Sequence, residues 1–185
     1  MSTRSYIAIE NIVSKKILAT YVHSDGYPDG VGHTLISFYD TYDKALKLFD
    51  YGQASYLGKT IEECCFYHRD MKRELDKTET YENEFFLMND FKGDIFIEYI
   101  YLFRNNEWIV SSLKFEKKPK DIHNYSSLVY RTEFIPVKKH SEYTGKQSKM
   151  NEVQMLGKLA KAFKQAGFED TDVIIQGAER NKLNS

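Results

Sequence analysis

Residues 94–115, DIFIEYIYLFRNNEWIVSSLKF, carry the strongest fold signal in the chain. Two runs rich in aromatic and β-branched side chains, 94–103 and 108–115, flank the polar tetrapeptide Arg-Asn-Asn-Glu. Such runs favour extended backbone, and a short polar break between them favours a tight turn. The segment therefore predicts an antiparallel β-hairpin.

A second hairpin is predicted at the N-terminus, where residues 5–13 and 17–23 have strand patterns around a turn at 14–16. Apolar residues at helical spacing predict helices, and a last apolar run predicts a short final strand. The helices are expected at 31–40, 42–51, 61–75 and 151–166, and the strand at 172–176. These patterns predict an α+β fold: an antiparallel sheet from two hairpins plus a C-terminal strand, with helices packed on one face.

The length of 185 residues suits one compact domain, or one domain with a short appendage. We predict an α+β core domain over 1–137 and a candidate linker over 138–150, the stretch with the weakest structural pattern. Residues 151–185 are then a C-terminal helix–strand unit, expected to pack on the same domain.

The composition is that of a soluble globular protein, with 42% hydrophobic and 29% charged residues. No apolar run reaches the roughly 20 residues that a membrane span needs, so we expect no membrane association. The only two cysteines, Cys64 and Cys65, are adjacent, which excludes a disulfide framework and predicts a reducing cytoplasm.

The net charge of −1 is unevenly spread. Residues 1–111 hold 12 Lys/Arg and 18 Asp/Glu, a net charge of −6, whereas residues 112–150 hold 9 and 4, a net charge of +5. One interpretation is a solvated surface, and the other is a docking surface for nucleic acid or for an acidic protein. A sequence pI near 6.5 argues against a dedicated nucleic-acid binder.

The densest group of polar side chains surrounds the turn at 23–33, and with an arginine on the neighbouring strand it predicts a small-ligand site. Arginine can bind an anionic group through two hydrogen bonds, and histidine can act as a general base. The alternative is that Asp and Gly only form the turn. The candidate ligand-binding residues are Arg4, His23, Asp25, Tyr27, Asp29 and His33.

The same turn matches no metal signature, and its glycines match no nucleotide-binding motif. We therefore assign no metal, no cofactor and no catalytic residue. A thiol nucleophile at Cys64 or Cys65 with His68 as its base has suitable helical spacing, but cysteines of this kind are more often small buried hydrophobes.

Basic residues mixed with tyrosines occupy 114–149, a pattern seen in proteins that bind single-stranded nucleic acid. Charged side chains on an edge strand that prevent aggregation are the alternative. The candidate residues for contact with protein or nucleic acid are Lys117, Lys118, Lys120, Arg131, Lys138 and Lys139.

One set of motifs goes beyond composition. Residues 2–9 read STRSYIAI, residues 23–28 read HSDGYP, and residues 67–70 read YHRD. Over about residues 2–115 the chain resembles a family of small uncharacterised proteins of bacteriophages and prophages, with an STRS-like first strand and an H-x-D-G-Y-P turn. Members usually carry Trp where this chain has Ser24.

The resemblance implies a phage context, in which small proteins often bind and disable a host protein. The cytoplasm that it implies is that of a host bacterium. The leading hypothesis is accordingly a phage-type accessory protein that binds and modulates a host or bacterial-defence protein, as anti-CRISPR proteins do. A ligand- or nucleotide-binding protein, or an enzyme, with a pocket at the 23–33 turn is the second. A virion-associated structural protein is the third.

Overall fold

The computed structural model describes residues 3–73, 78–92, 94–115 and 129–145. The predicted C-terminal helix and strand at 151–166 and 172–176 lie outside these residues. The described part of the chain contains nine strands: β1 Ser5–Glu10, β2 Ile17–Val22, β3 Ala54–Tyr56, β4 Cys65–Phe66, β5 Glu79–Tyr81, β6 Tyr99–Arg104, β7 Glu107–Phe115, β8 Val129–Arg131 and β9 Ile135–Pro136.

Four short α-helices and three other helical turns accompany the strands. The α-helices are α1 His33–Phe38, α2 Tyr42–Leu46, α3 Tyr67–Met71 and α4 Glu84–Asp90. A wide helical turn at Pro28–Gly32 leads into α1, and 3₁₀ turns form Lys47–Phe49 and Val137–Lys139. The α+β class is confirmed.

Both predicted hairpins are present. In the first, β1 and β2 are antiparallel, with Tyr6 opposite Tyr21. In the second, β6 and β7 are antiparallel, and the turn between them places Asn105 and Asn106 at φ of 53° and 59°. Two successive positive φ values match the right-handed twist of the strands, and Asn adopts them at low cost.

The sheet is mixed, which corrects the prediction of an antiparallel sheet. Its order is β4-β3-β2-β1-β6-β7-β8, with β5 paired to β2 and β9 paired to β7. The two hairpins join through a parallel pair, β1 with β6, in which Ser5 lies opposite Tyr99. The helical segments between β2 and β6 form the long connection that a parallel pair requires.

Helices cover both faces of the sheet, which corrects the prediction of one covered face. Alternate strand residues point to opposite faces. On the α1 face, Ile7 and Phe103 pack with Leu35 and with residues of α2. On the α4 face, Ala8, Ile17 and Leu102 pack with Leu87 of α4 and with Phe91, which directly follows the helix. Burying one such large apolar side chain contributes about 1.5–3 kcal/mol, so each face stabilises the sheet.

The helix expected at 61–75 is wrong. Residues 65–66 instead form β4, which pairs with β3, and of the described residues 61–73 only Tyr67–Met71 are helical. The carboxylate of Asp70 accepts a hydrogen bond from the backbone N–H of Phe66 at 2.8 Å, which holds the junction between strand and helix. Pairing with β3 satisfies backbone groups that a continuous helix would have used.

The candidate linker is predicted at 138–150, and the structure describes residues 138–145 of it. We consider these together with the preceding Val137 as the 137–145 segment. In the structure, Val137 and His140 are buried, at 1% and 5% exposure. Val137 belongs to the core on the α1 face. This 137–145 segment therefore packs on the sheet.

Candidate functional site

The turn that follows β2 is held by backbone contacts. Asp25 has φ of 57°, and its carbonyl accepts the N–H of Val31 at 2.8 Å. A Cβ on Gly30 would lie 2.2 Å from the same carbonyl, so only glycine allows this approach. The carbonyl of Gly26 accepts the hydroxyl of Tyr101, which is fully buried, at 2.7 Å. Asp25 and the glycines thus form the turn, which is the role that the alternative interpretation of this segment gave them.

Two further members of the predicted ligand set contact the 137–145 segment. Asp29 accepts the backbone N–H and the hydroxyl of Thr144 at 2.7 and 2.6 Å. The ring of His33 stacks on that of Tyr143, with centroids 6.2 Å apart and planes 23° apart. Tyr27 packs against the core on the α1 face. These contacts connect the turn to a segment far away in sequence.

A buried histidine anchors the 137–145 segment. Its Nδ1 accepts the backbone N–H of Glu142 at 3.2 Å, so neutral His140 carries its proton on Nε2, which lies 2.8 Å from the hydroxyl of Ser112. Burial lowers the pKa of His140, and the charge of Glu142 opposes this only in part. The carboxylate of Glu142 accepts the Tyr99 hydroxyl.

Arg4 and His23, the other predicted ligand residues, lie together at the end of the sheet. The β1–β2 register pairs Ser5 with Val22, so Arg4 and His23 are the next cross-strand neighbours. His23 Nδ1 is 2.8 Å from the hydroxyl of Tyr21, which belongs to the α4 face. Burial lowers the pKa of His23, and the nearby charges of Arg4 and Arg73 lower it further. This end of the sheet is therefore electropositive around a neutral imidazole.

Apart from Asp25, which shapes the turn, the structure divides the predicted ligand residues into two groups. Arg4 and His23 are on the α4 side of the sheet, whereas Tyr27, Asp29 and His33 contact the α1 side and the 137–145 segment. Sequence reasoning missed Tyr21 at the first group. Its position two residues before His23 on a strand is the signal that could have found it, because such residues share a face.

Arg131, a predicted contact residue, binds backbone instead. Its Nε donates to the carbonyl of Phe91 at 3.0 Å, and its Nη2 donates to those of Asp94 and Ile97 at 3.3 and 2.5 Å. Burial lowers the pKa of Arg131 to about 10. The side chain thereby joins β8 to the connection between α4 and β6. Lys138 and Lys139 are exposed, and Lys117, Lys118 and Lys120 lie outside the described residues.

The two cysteines are buried and do not pair with His68. The Cys64 thiol is 3.3 Å from the Tyr39 hydroxyl and accepts the Gly58 N–H at 3.2 Å, and burial raises the pKa of Cys64. His68 Nδ1 instead lies 3.2 Å from the carbonyl of Arg73. The arrangement is that of small core side chains.

A surface that the sequence analysis did not single out lies on α4. Leu87 and Phe91 face the core, while Phe85 and Phe86 are 71% and 53% exposed, with ring centroids 5.6 Å apart. We call the exposed side of α4 with its neighbouring carboxylates the α4 surface. Its sequence signal is two adjacent aromatic residues, of which a short amphipathic helix can bury only one side.

Two carboxylates lie beside the core-facing side of α4, Glu79 on β5 and Asp90 at the last position of the helix. Their oxygens are 2.7 and 2.8 Å from the hydroxyl of Tyr81, and no lysine or arginine in the described ranges forms an ion pair with either. Burial, followed by these two carboxylates, raises the pKa of Tyr81. The α4 surface is thus aromatic and acidic.

A small cavity of about 230 Å³ lies at the opposite end of the sheet from His23, between the two hairpin turns. Arg104 borders it and donates to Glu10 at 2.7 Å and to Glu84 at 2.5 Å. These ion pairs already satisfy the charged groups at its wall. No cluster of three or more metal-ligating side chains occurs in the described ranges.

None of the helices in the part of the chain that the structure covers is long and apolar enough to cross a membrane. Comparisons with protein-family models, with curated proteins and with solved structures return no significant match.

Proposed function

We propose that the protein is an accessory binding protein of bacteriophage type, which docks on a host or bacterial-defence protein through the α4 surface and modulates it. The observation that carries the proposal is the exposure of Phe85 and Phe86 on a helix whose other side packs on the sheet through Leu87. Aromatic side chains that remain in water mark contact sites, because their burial on binding is strongly favourable.

The contrast with α2 supports this assignment. On α2, the solvent-exposed side carries Asp43 and Lys44, and Lys44 pairs with Asp40 at 2.7 Å. That is the usual pattern of a helix that faces only water. On α4 the exposed positions hold two phenylalanines, although the same chain places charged side chains on α2 and α3.

The charges predict the chemistry of the partner. The carboxylates of Glu79 and Asp90 share one hydroxyl and lack a cationic neighbour among the described residues. We therefore expect the partner to present lysine or arginine around an apolar pocket that accepts the phenylalanine rings. Complementary charge accelerates association and makes the affinity depend on salt.

The experiment compares affinity capture by the tagged full-length chain with capture by two variants. In the first, Phe85→Ser and Phe86→Ser remove the aromatic side chains. In the second, Ile12→Ser and Val13→Ser remove two equally exposed apolar side chains from the β1–β2 turn, 63% and 90% exposed, as the matched control. Each captured host protein is then purified, and its Kd is measured.

We expect one identified host protein to bind the wild type and the control with the same Kd. Binding to the Phe85/Phe86 variant should be at least about tenfold weaker, because central aromatic residues dominate binding energy at interfaces. Binding should also weaken as salt is raised. Equal affinity for all three proteins, or no specific host partner for the wild type, would refute the proposal.

A further inference from the structure

The guanidinium of Arg4 is unusual because part of it is buried without a hydrogen bond. Its Nε has no acceptor in the described part of the chain, although the atom is shielded from water. None of the ion pairs in those ranges involves Arg4. Its charge rests on the ring of Phe96, with the carbon of the guanidinium 5.6 Å from the ring centroid. A buried, unpaired donor is costly, so its presence calls for an explanation.

The backbone holds Arg4 firmly in this position. The Arg4 carbonyl accepts the N–H of Glu98 at 3.0 Å, and the preceding carbonyl, that of Thr3, accepts the N–H of Gly26 at 2.9 Å. A Cβ on Gly26 would lie 2.9 Å from the backbone of Arg4, so the turn packs directly against it. The side chain therefore starts from a rigid sheet end, which preorganises its donors.

The neighbours of Arg4 favour an anion. On one side lies His23, whose imidazole is neutral and is hydrogen-bonded to Tyr21. A second guanidinium, that of Arg73, is close enough to influence His23 and lies over the ring of Tyr67, 4.9 Å from its centroid. Two carboxylates lie near this group, Glu98 beside Arg4 and Asp94 near Tyr21, and neither makes an ion pair with Arg4 in the described ranges.

We propose that Arg4, with Tyr21, His23 and Arg73 around it, binds the phosphate group of a small molecule at this end of the sheet. A guanidinium offers a planar pair of donors that matches two phosphate oxygens. Two guanidiniums carry two positive charges, which favours a doubly charged phosphate over a singly charged carboxylate as the ligand. Partial burial strengthens each contact. The bound phosphate neutralises the charge of this half-buried guanidinium and accepts hydrogen bonds from its outer nitrogens, since Nε itself is shielded from solvent.

This inference is independent of the α4 surface, since it uses none of the residues that form it. The unpaired donor of Arg4 lowers the stability of the fold, and phosphate binding is the function for which this stability is given up. Removing the guanidinium therefore costs no hydrogen bond of Nε to the described residues. Loss of binding and retention of stability are therefore expected together.

The test is calorimetric titration of the full-length protein with four probes: inorganic phosphate, adenosine 5′-monophosphate, adenosine and acetate. The variants are Arg4→Gln, which removes the charge, and Arg4→Lys, which keeps the charge without the planar donors. Lys139→Gln removes one positive charge from an exposed position on the 137–145 segment and serves as the control. Melting temperatures of all proteins are recorded without ligand.

We expect one or both phosphate-bearing probes to bind the wild type and Lys139→Gln, while adenosine and acetate do not bind. Binding by inorganic phosphate identifies the free anion, and binding by the nucleotide alone identifies a phosphate ester. Arg4→Gln should weaken binding at least about tenfold and Arg4→Lys should weaken it less. The melting temperature of Arg4→Gln should equal or exceed that of the wild type.

The proposal is overturned if neither phosphate-bearing probe binds at millimolar concentration, or if acetate binds as tightly as phosphate. Unchanged binding by Arg4→Gln also overturns it. A melting temperature of Arg4→Gln well below that of the wild type assigns Arg4 to the fold instead; Arg4→Lys then decides, since a purely structural residue leaves its phosphate affinity unchanged.

Discussion

Asp29 and Thr144 are 115 residues apart in the chain, and two hydrogen bonds of 2.7 and 2.6 Å join them. The backbone N–H of Gly145 adds a third at 3.2 Å. Asp29 thereby caps a turn in the 137–145 segment, as an acidic side chain caps the start of a helix. A residue expected to bind a ligand thus holds the last described residues against the turn that follows β2.

Asp29→Ala should release the end of the 137–145 segment. We expect a loss of about 1 kcal/mol in the free energy of unfolding, because the carboxylate is largely in water and its hydrogen bonds are partly replaced by solvent. Amide exchange should accelerate within 137–145 and remain slow in β1 and β6. Asp40→Ala, which removes an exposed carboxylate paired only with Lys44, is the control. Unchanged exchange at Thr144 would contradict this role.

The buried His140 should make stability depend on pH. Burial lowers its pKa below the usual 6.5, so the folded state prefers the neutral ring. Its contribution is therefore complete above pH 6.5 and is lost as the pH falls from 6.5 towards the lower folded pKa. Protonation of Nδ1 also removes the acceptor for the Glu142 N–H. His140→Gln should flatten the melting temperature over this range.

His23 supplies a second contribution of the same sign. Its pKa is also lowered, first by burial and then by Arg4 and Arg73. The slope that remains in His140→Gln should disappear when His23→Gln is added. A wild-type melting temperature that rises as the pH falls through 6 would show that neither histidine is held neutral. Scanning calorimetry at closely spaced pH values distinguishes these outcomes.

Arg131→Met should destabilise the protein by about 2–4 kcal/mol, because it leaves three backbone carbonyls without their donor. The affected carbonyls are those of Phe91, Asp94 and Ile97. Urea unfolding followed by circular dichroism measures the effect. Lys138→Met changes an exposed charge nearby and should leave stability unchanged. If Arg131→Met were as stable as Lys138→Met, the hydrogen bonds of Arg131 to the three carbonyls would not stabilise the fold.

Both thiols should be inert in the native protein. Cys64 and Cys65 are 3% and 4% exposed, and burial raises the pKa of Cys65 to about 11. The thiolate is the reactive form, so little of it exists at pH 8. A thiol-reactive disulfide reagent should label neither residue until denaturant is added, and then both. Rapid labelling of one thiol under native conditions would show that the β3–β4 region opens locally.

Parts of the fold and of the site were accessible from sequence. The β6–β7 hairpin was accessible from sequence, because Asn105 and Asn106 are of a residue type that readily adopts the positive φ values of its turn. The strand pattern of 17–23 also placed His23 at the end of a strand. The predicted turn at 14–16 made the first strand its neighbour, and Arg4 lies at the start of that first strand. β4 was not accessible, because Cys65 and Phe66 sit inside a helical pattern and extend only through pairing with β3.

By itself, the sequence determined the α+β class, the two hairpins and the acidic front of the chain, because local backbone preference and side-chain periodicity act over a few residues. Only the tertiary structure decided the parallel pairing of β1 with β6, the binding of Arg131 to carbonyls 34–40 residues away, and the contact of Asp29 with Thr144. It also decided which side of α4 is left in water. These relationships depend on which distant segments meet, and no local preference encodes that choice.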